Sequence, residues 1–268
     1  MPAFEYLAPS TVDAALTALA APGARPLAGG TDLLVQLRAG RVRPAVVVDL
    51  KRIAGAIGVR AQASGFVIGV VEAARVIGSV QIQGRATLAG NLCNASPAAD
   101  SVPALIAARA VCVIAGPAGR REMPVESIAT APGRTSLAPG EFVLEICLPP
   151  RPVHAADAYL RLIPRTEMDI AVVGAAVNLW LDAAGVITQA HVALGAVAPT
   201  ALLVPAAGAA LVGGRLDAGA LARLDAAARA ACRPISDKRG TAAYRTRIAG
   251  VLARRAAAIA YERAAQRR

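Results

Sequence analysis

A chain of 268 residues can form two modest domains, and its 56% content of hydrophobic residues excludes an intrinsically disordered protein. The net charge of +11 comes almost entirely from arginine, because Lys51 and Lys238 are the only lysines. Aromatic residues make up 3% of the chain and do not interleave with the arginines as they do on nucleic-acid-binding surfaces. We therefore expect no nucleic-acid partner, and the charge favours an anionic cofactor or acidic partner subunits.

The first residues and the cysteines favour a cytoplasmic protein. Residues 1–5 lack the basic and apolar regions of a signal peptide. The cysteines form no C-x-x-C pair and have no histidine near them in sequence, which argues against a zinc or iron–sulfur site and predicts free thiols. The four cysteines are Cys93, Cys112, Cys147 and Cys232.

Residues 183–214 contain no Asp, Glu, Lys or Arg, which raises the question of a membrane span. The segment includes Gln189, His191, Pro199 and Pro205, which divide it into a strand and a short helix. We therefore predict buried core here and no membrane span.

The first 50 residues predict a β-α-β-α-β unit. Ser10, with Asp13 three residues later, is typical of a helix N-cap. Residues 45–50 form an apolar run typical of a buried strand. The predicted elements are strands over 4–7, 25–28 and 45–50, with helices over 11–20 and 32–38.

A second unit follows, with a strand over 65–70 and a helix over 72–77. A turn-rich segment over 87–100 leads into a helix over 101–109. Strands are predicted over 111–114 and 141–148, the second from its alternating pattern. Pro149 and Pro150 begin a plausible linker over 149–157.

The last third predicts an antiparallel meander of three strands followed by helices. The strands are placed over 158–162, 170–181 and 186–195, and the helices over 201–211, 217–231 and 241–260. The chain is therefore assigned to the α+β class.

Residues 27–33 predict a phosphate-binding turn. Gly29 and Gly30 precede a helix, so backbone N–H groups there can approach phosphate oxygens without a Cβ in the way. Thr31 adds a hydroxyl donor. A purely structural Gly-Gly turn is the alternative.

Residues 87–100 have the same character. We interpret them as a loop rather than an amphipathic helix, with Thr87, Asn91 and Asn94 as donors beside backbone amides, as in an anion nest. Asp100 is placed either to bind ribose hydroxyls or to stabilise the start of the next helix. The two loops together predict a large phosphate-bearing cofactor held from two sides.

These segments resemble the FAD-binding medium subunits of the molybdenum hydroxylases, the family of xanthine dehydrogenase and carbon monoxide dehydrogenase. The matching segments are residues 28–34, 87–100, 165–171 and 193–200. They lie in the family's order and cover nearly the whole chain.

The resemblance implies a PCMH-type (vanillyl-alcohol-oxidase-like) FAD-binding fold of two α/β subdomains. This domain would cover residues 1–150, with subdomains at about 1–55 and 56–150. A C-terminal domain like that of the carbon monoxide dehydrogenase flavoprotein, a three-stranded antiparallel sheet with helices, would cover residues 157–268.

The resemblance also implies where FAD is held. Gly29, Gly30 and Thr31 would hold the pyrophosphate from one side, and Thr87, Gly90 and Asn91 from the other. Asp100 would bind the sugar, and the strand that begins with Asp169 would approach the flavin ring. The full set of expected cofactor-binding residues is Ala28, Gly29, Gly30, Thr31, Asp32, Leu33, Thr87, Ala89, Gly90, Asn91, Asn94, Asp100, Asp169, Ile170 and Val172.

The function implied by the resemblance is electron relay. A large subunit would carry the molybdenum cofactor and a small one the [2Fe-2S] clusters, in a dimer of heterotrimers. Electrons would pass through FAD in this chain to NAD or another acceptor, and no catalytic acid or base is required. His154 and His191 are interpreted as structural, and the arginines of the C-terminal helix as a docking surface for partner subunits.

Two departures from the family pattern leave alternatives open. Ala89 stands where the family usually has glycine, and this would cost about 1–2 kcal/mol if the position needed a positive φ. An extra helix and turn that the family carries are missing between Gly69 and Glu72. One alternative is a flavin-free assembly subunit of the same complex. Another is a standalone FAD reductase of the same fold superfamily, which residues 96–100 and the C-terminal domain disfavour.

Overall fold

A computed structural model describes residues 3–53, 56, 58, 73–165 and 168–267. The predicted strand over 65–70 and the shortened segment before residue 72 lie outside the described residues. Of the predicted helix over 72–77, residues 73–75 are helical.

The first unit confirms the predicted β-α-β-α-β order. Its elements are β1 (Glu5–Leu7), α1 (Val12–Leu19), β2 (Ala24–Leu27), α2 (Leu33–Arg38) and β3 (Val46–Asp49). The strands form a parallel sheet in the order β1-β3-β2, so the central strand β3 is buried along its whole length.

The predicted cap of α1 is wrong by one residue. Thr11, not Ser10, has the extended backbone of an N-cap, and its side chain accepts a hydrogen bond from the Ala14 N–H. Thr11 lies three residues before Ala14, which is the spacing at which an N-cap side chain accepts from a backbone N–H of the first turn that has no partner within the helix.

The second unit combines short helices with an antiparallel sheet. Its elements are α3 (Val80–Gln83), α4 (Leu88–Cys93), α5 (Ser101–Ala107), β4 (Val111–Gly116), β5 (Gly119–Pro124), β6 (Ala129–Ala131), β7 (Arg134–Thr135) and β8 (Phe142–Cys147). Strands β5, β4 and β8 pair antiparallel in that order, and β6 pairs with β7.

The 87–100 segment is not a loop throughout, so its prediction needs correction. Helix α4 occupies its first half because Thr87 caps it and Leu92 is completely buried. The remaining residues, from Asn94 to Asp100, form turns that lead into α5.

The last unit is an antiparallel sheet covered by helices. Its elements are β9 (Ala155–Leu162), β10 (Val173–Leu181), β11 (Ile187–Gly195), β12 (Leu202–Leu203), α6 (Pro205–Ala209), α7 (Ala218–Ala231) and α8 (Ala242–Gln266). The sheet has the order β12-β11-β10-β9, so the three predicted strands gain a short fourth one. Both residues of this strand come from the start of the predicted helix over 201–211, so the observed helix in this region is the shorter α6.

The charge-free segment 183–214 contains the predicted strand and short helix, β11 and α6, together with the unpredicted strand β12. Among the described residues, no helix combines the length and the apolar character needed to cross a membrane.

Helix α5 lies between the second unit and the C-terminal sheet, and all seven of its residues are buried. Its side chains share one apolar cluster with β4 and β8 and with Tyr159, Ala176 and Ala193 of the C-terminal sheet. The Ala107 carbonyl accepts a hydrogen bond from Asn178 Nδ2 at 3.2 Å. The opposite face of the C-terminal sheet packs on α7 and α8 through a second apolar cluster.

The linker between the units is held in place. Arg151 pairs with Asp157 of β9 at 2.5 Å, and both side chains are only 4% exposed. Because β9 begins at Ala155, the linker is short, while domain boundaries at 150 and 157 stay a prediction.

Gly208 offers a test of the packing between α6 and β11. A Cβ at this position would lie 2.3 Å from the Ala190 carbonyl oxygen, so we expect Gly208→Ala to destabilise the protein by about 1–3 kcal/mol. Denaturant unfolding measures this. The control is Gly214→Ala, whose Cβ would meet nothing within 4 Å and which should be neutral or slightly stabilising. Equal stability of the two variants would contradict the expectation.

Candidate functional site

Gly29 brings the first predicted loop into backbone contact with the residues just before the second. A Cβ built on Gly29 would lie 1.9 Å from the Arg85 carbonyl oxygen and 3.0 Å from the Ala86 Cα. Only glycine fits such a separation. The residue after it, Gly30, has φ +79°, in the left-handed region that favours glycine. The turn therefore lies directly against the residues that precede Thr87.

Three side chains that the sequence did not single out form a network of contacts that holds the backbone of this turn. Lys51 Nζ donates to the Ala28 carbonyl at 3.2 Å and lies 2.8 Å from Asp49 Oδ1. Tyr6 donates its hydroxyl to Asp49 Oδ2 at 2.5 Å. Burial acts to raise the pKa of Asp49, but hydrogen bonds from Lys51 and Tyr6 outweigh it and lower the pKa. The sequence signal that could have identified Lys51 is that lysine is rare in this arginine-rich chain.

Beyond Gly30, the predicted residues of this turn lead into α2. Thr31 is half-buried and Asp32 is exposed at the N-cap position, where its side chain makes no capping hydrogen bond. Asp32 instead accepts a hydrogen bond from the Gln36 side chain. Leu33 is the first residue of α2.

The polar residues of α4 use their oxygens as acceptors, unlike the predicted set of donors. Thr87 Oγ1 accepts from the Gly90 N–H at 3.0 Å. Asn91 Oδ1 accepts from the Ser101 hydroxyl at 2.6 Å, which ties α4 to the start of α5. Asn94 is exposed at the C-cap.

Ala89 lies inside α4 and is not among the described residues with positive φ. Alanine is the best helix former, so the replacement of the family's glycine costs nothing in backbone strain. This removes one of the two reasons for considering a flavin-free protein. The other, the shortened segment before residue 72, lies outside the described residues.

Asp100 lies at the contact between the two halves of the chain. Its Oδ2 accepts from Arg161 Nη1 at 2.8 Å and its Oδ1 from the Tyr159 hydroxyl at 3.1 Å. Burial raises the pKa of Asp100 to about 6, although Arg161 and Tyr159 act to lower it. Asp100 starts α5 without making a side-chain capping hydrogen bond, so its contacts are with β9.

The second and fourth of the matching segments, residues 87–100 and 193–200, meet beside this contact. The Ala196 N–H, from a residue with φ +62°, donates to the Pro97 carbonyl at 2.7 Å. A Cβ on Gly195 would lie 2.8 Å from Pro103 Cγ, so β11 also approaches α5 closely. The 193–200 segment therefore packs on the 87–100 segment.

Asp169 is held by arginines next to these segments. Its Oδ1 accepts from Arg239 Nε at 2.8 Å and its Oδ2 from Arg165 Nε at 3.2 Å. The hydrogen bond from Arg239, with one from the Ile170 N–H, lowers the pKa of Asp169 to about 2. Ile170 is half exposed, whereas Val172 is buried.

The Asp100–Arg161 pair predicts a pH-dependent effect of Arg161→Met. Breaking a buried pair leaves a charge without a partner, so we expect a loss of about 3–5 kcal/mol in unfolding free energy at pH 8. Without Arg161 the pKa of Asp100 rises further, so Asp100 is protonated in the folded state at pH 5. Since Asp in the unfolded chain is still ionised there, folding takes up a proton and the loss shrinks.

Guanidinium unfolding of wild type and variant at both pH values measures this difference. The control is the double variant Arg161→Met/Asp100→Asn, in which the added pH dependence should disappear. An equal loss at pH 5 and pH 8 in the single variant would contradict the pairing.

Two family models match the chain in succession. Residues 2–151 match the FAD binding domain in molybdopterin dehydrogenase, and residues 158–260 match the CO dehydrogenase flavoprotein C-terminal domain. Full-length relatives agree with both. The chain is 32% identical to the carbon monoxide dehydrogenase medium chain of Hydrogenophaga pseudoflava, over 98% of this chain and 99% of that one.

Other relatives and solved structures extend the likeness. A putative xanthine dehydrogenase FAD-binding subunit of Escherichia coli K12 is 32% identical over 67% of this chain and 68% of its own length. The solved carbon monoxide dehydrogenase of Hydrogenophaga pseudoflava superposes with a TM-score of 0.92 at 32% identity, covering 98% of each chain. Quinoline 2-oxidoreductase from Pseudomonas putida 86 gives a TM-score of 0.87 at 26% identity, covering 98% of this chain and 99% of that one.

The resemblance and the PCMH-type fold expected from the sequence are thus confirmed. The chain belongs to the FAD-binding medium subunits of the molybdenum hydroxylases, the oxidoreductase family that includes the subunits of carbon monoxide dehydrogenase and xanthine dehydrogenase.

Proposed function

We propose that this chain holds FAD between its 28–33 and 87–100 segments and relays electrons within a molybdenum hydroxylase complex. The observation that carries the proposal is the backbone contact of Gly29 with Arg85 and Ala86, which places the first segment against the residues just before the second, where a Cβ would not fit. Glycine at such a contact leaves main-chain donors open to a phosphate-bearing ligand. The family match supplies the identity of that ligand.

The residues proposed to hold FAD fall into three groups. Ala28, Gly29, Gly30, Thr31, Asp32 and Leu33 form the first wall of the pyrophosphate site. Thr87, Ala89, Gly90, Asn91 and Asn94 form the second wall. Asp169, Ile170 and Val172 lie on the side of the flavin ring.

Asp100 is proposed to contact the sugar portion of FAD. A carboxylate offers about four lone-pair sites, so hydrogen bonds from Tyr159 and Arg161 leave room for ribose hydroxyls to donate. The same two contacts fix the orientation of the carboxylate before the cofactor arrives. Asp100 would thus link the cofactor to the C-terminal domain.

Bound FAD supplies the redox chemistry, and the protein supplies binding, orientation and electrostatics. Lys51 and Arg161 are paired with Asp49 and Asp100, so they would orient the segments that face phosphate groups rather than add net charge there. Arg239 and Arg165 keep Asp169 ionised on the ring side. These ion pairs would orient the groups around the cofactor, and no side chain of this chain needs to transfer a proton.

The complex and the acceptor belong to the proposal as well. Because the relatives include medium chains of carbon monoxide and glyceraldehyde dehydrogenases, we propose a large molybdenum-cofactor subunit and a small [2Fe-2S] subunit as partners. A dimer of heterotrimers in the cytoplasm, with NAD or another electron acceptor, completes the proposed arrangement. Since the relatives' names span substrates from carbon monoxide to caffeine, the substrate would be chosen by the large subunit.

Gly29→Ala tests the proposed cofactor site. The added Cβ would force the first segment away from Arg85, so we expect FAD to bind at least about tenfold more weakly. Fluorescence titration of the apoprotein with FAD measures the dissociation constant. The control is Gly84→Ala, in the adjoining segment, whose Cβ would come no closer than 3.6 Å to its nearest neighbour. Equal affinity in the two variants would show that the contact does not shape the site.

The relay is tested by purification of the chain with and without its partner subunits. We expect an oxidised-flavin absorption spectrum and the release of FAD rather than FMN on denaturation. In the complex, substrate should bleach the flavin under anaerobic conditions. A colourless protein that FAD cannot reconstitute would overturn the proposal in favour of a flavin-free assembly subunit.

A further inference from the structure

Arg245 is a buried arginine that the sequence placed among the docking residues of the C-terminal helix. Its residue surface is only 3% exposed, and it lies in the first turns of α8. The helix start is close to residues 169–172, the ring-side segment proposed to approach the flavin ring. A buried guanidinium is costly unless several acceptors surround it. Its partners therefore indicate what it does.

The acceptors of Arg245 are the backbones of two site segments. Nη1 donates to the Val172 carbonyl at 2.6 Å and to the Ala196 carbonyl at 3.4 Å. Ala196 in turn donates its N–H to Pro97 of the 87–100 segment. One guanidinium thus connects the ring-side strand with the segment that packs on the pyrophosphate wall.

The other side of the guanidinium leads to Asp169. Arg245 Nη2 donates to Asp237 Oδ1 at 2.7 Å, and Asp237 also accepts from the Arg239 N–H at 2.9 Å. Arg239 is the residue whose Nε binds Asp169 at 2.8 Å. The hydrogen bonds from these arginines keep the pKa of Asp237 below its usual range, so the network stays charged at neutral pH.

We propose that Arg245 is a positioning residue for the flavin, which fixes the C-terminal wall of the site by holding Val172 and Ala196 in place. This inference rests on the proposed function. Because the backbone and charges beside a flavin tune its electronics, a displaced wall changes the potential and the visible spectrum as well as the affinity.

The geometry favours arginine over lysine here. The planar guanidinium donates in several fixed directions, and this one reaches two carbonyls and one carboxylate. A lysine ammonium is a single point at the end of a flexible stem and does not span the three acceptors. Arg245→Lys therefore keeps the buried charge while removing the bridge.

The test uses Arg245→Lys and Asp237→Asn, with Arg247→Met as a control at an exposed arginine of the same helix. Arg247 is exposed on the same helix, and no contact is described for it. Circular dichroism and thermal melting report the fold. FAD titration, the midpoint potential and the visible spectrum report the site.

We expect Arg245→Lys to bind FAD roughly tenfold more weakly, the factor produced by losing one charge-assisted hydrogen bond, with a shifted potential and spectrum. Asp237→Asn should shift the FAD affinity, the potential and the spectrum in the same direction by a smaller amount, because the guanidinium remains. Arg247→Met should match wild type.

A lower melting temperature with unchanged FAD affinity, potential and spectrum would show that Arg245 only stabilises the domain and would overturn the inference. If Arg245→Lys does not fold, the same readouts on Asp237→Asn decide the question. Wild-type protein that binds no FAD would instead overturn the proposed function, so the two failures are distinguishable.

Discussion

The complete burial of α5 is the constraint on which the arrangement of the site depends. This helix carries no charged side chain, and it packs at once on β4 and β8 and on the C-terminal sheet. The 87–100 segment ends where the helix starts, so Asp100 emerges at the junction of the two domains. A shift of α5 would move Asp100 away from Arg161 and Pro97 away from Ala196. The proposed pyrophosphate wall in residues 87–100 and the proposed ring side in residues 169–172 are therefore fixed relative to each other by apolar packing.

Ion pairs between distant segments fix the orientation of the packed elements. Asp100 pairs with Arg161, Asp169 with Arg239, and Asp237 with Arg245. Because a guanidinium can bind a carboxylate and backbone carbonyls together, arginine suits these half-buried junctions better than lysine. Each cation is largely balanced by its carboxylate, so the pairs contribute orientation more than net charge. The excess positive charge of the chain lies elsewhere, on its exposed surface.

Elements that follow from local sequence were predictable, and those that follow from tertiary contacts were not. The β-α-β-α-β unit was found because its apolar periodicity and capping residues are local. Strand β5 was missed because its sequence is polar and exposed, and only pairing with β4 makes it a strand. Helix α4 was missed because glycine and asparagine are weak helix formers, and its cap and the burial of Leu92 stabilise it.

The same distinction explains which site residues the sequence revealed. Glycines such as Gly29 could be predicted as site residues because a close backbone approach requires glycine. Lys51 and Arg245 could not, because they act through partners far away in sequence. In the sequence, the arginines of α8 form one cluster, but the fold separates them. Arg245, Arg254 and Arg263 bind Asp237, Asp225 and the Asp157 carbonyl, and Arg247, Arg254 and Arg255 are exposed. We therefore expect any docking of an acidic partner on this helix at its outward face. The inward face packs in the core of the C-terminal domain, and Arg245 links it to Val172 and Ala196.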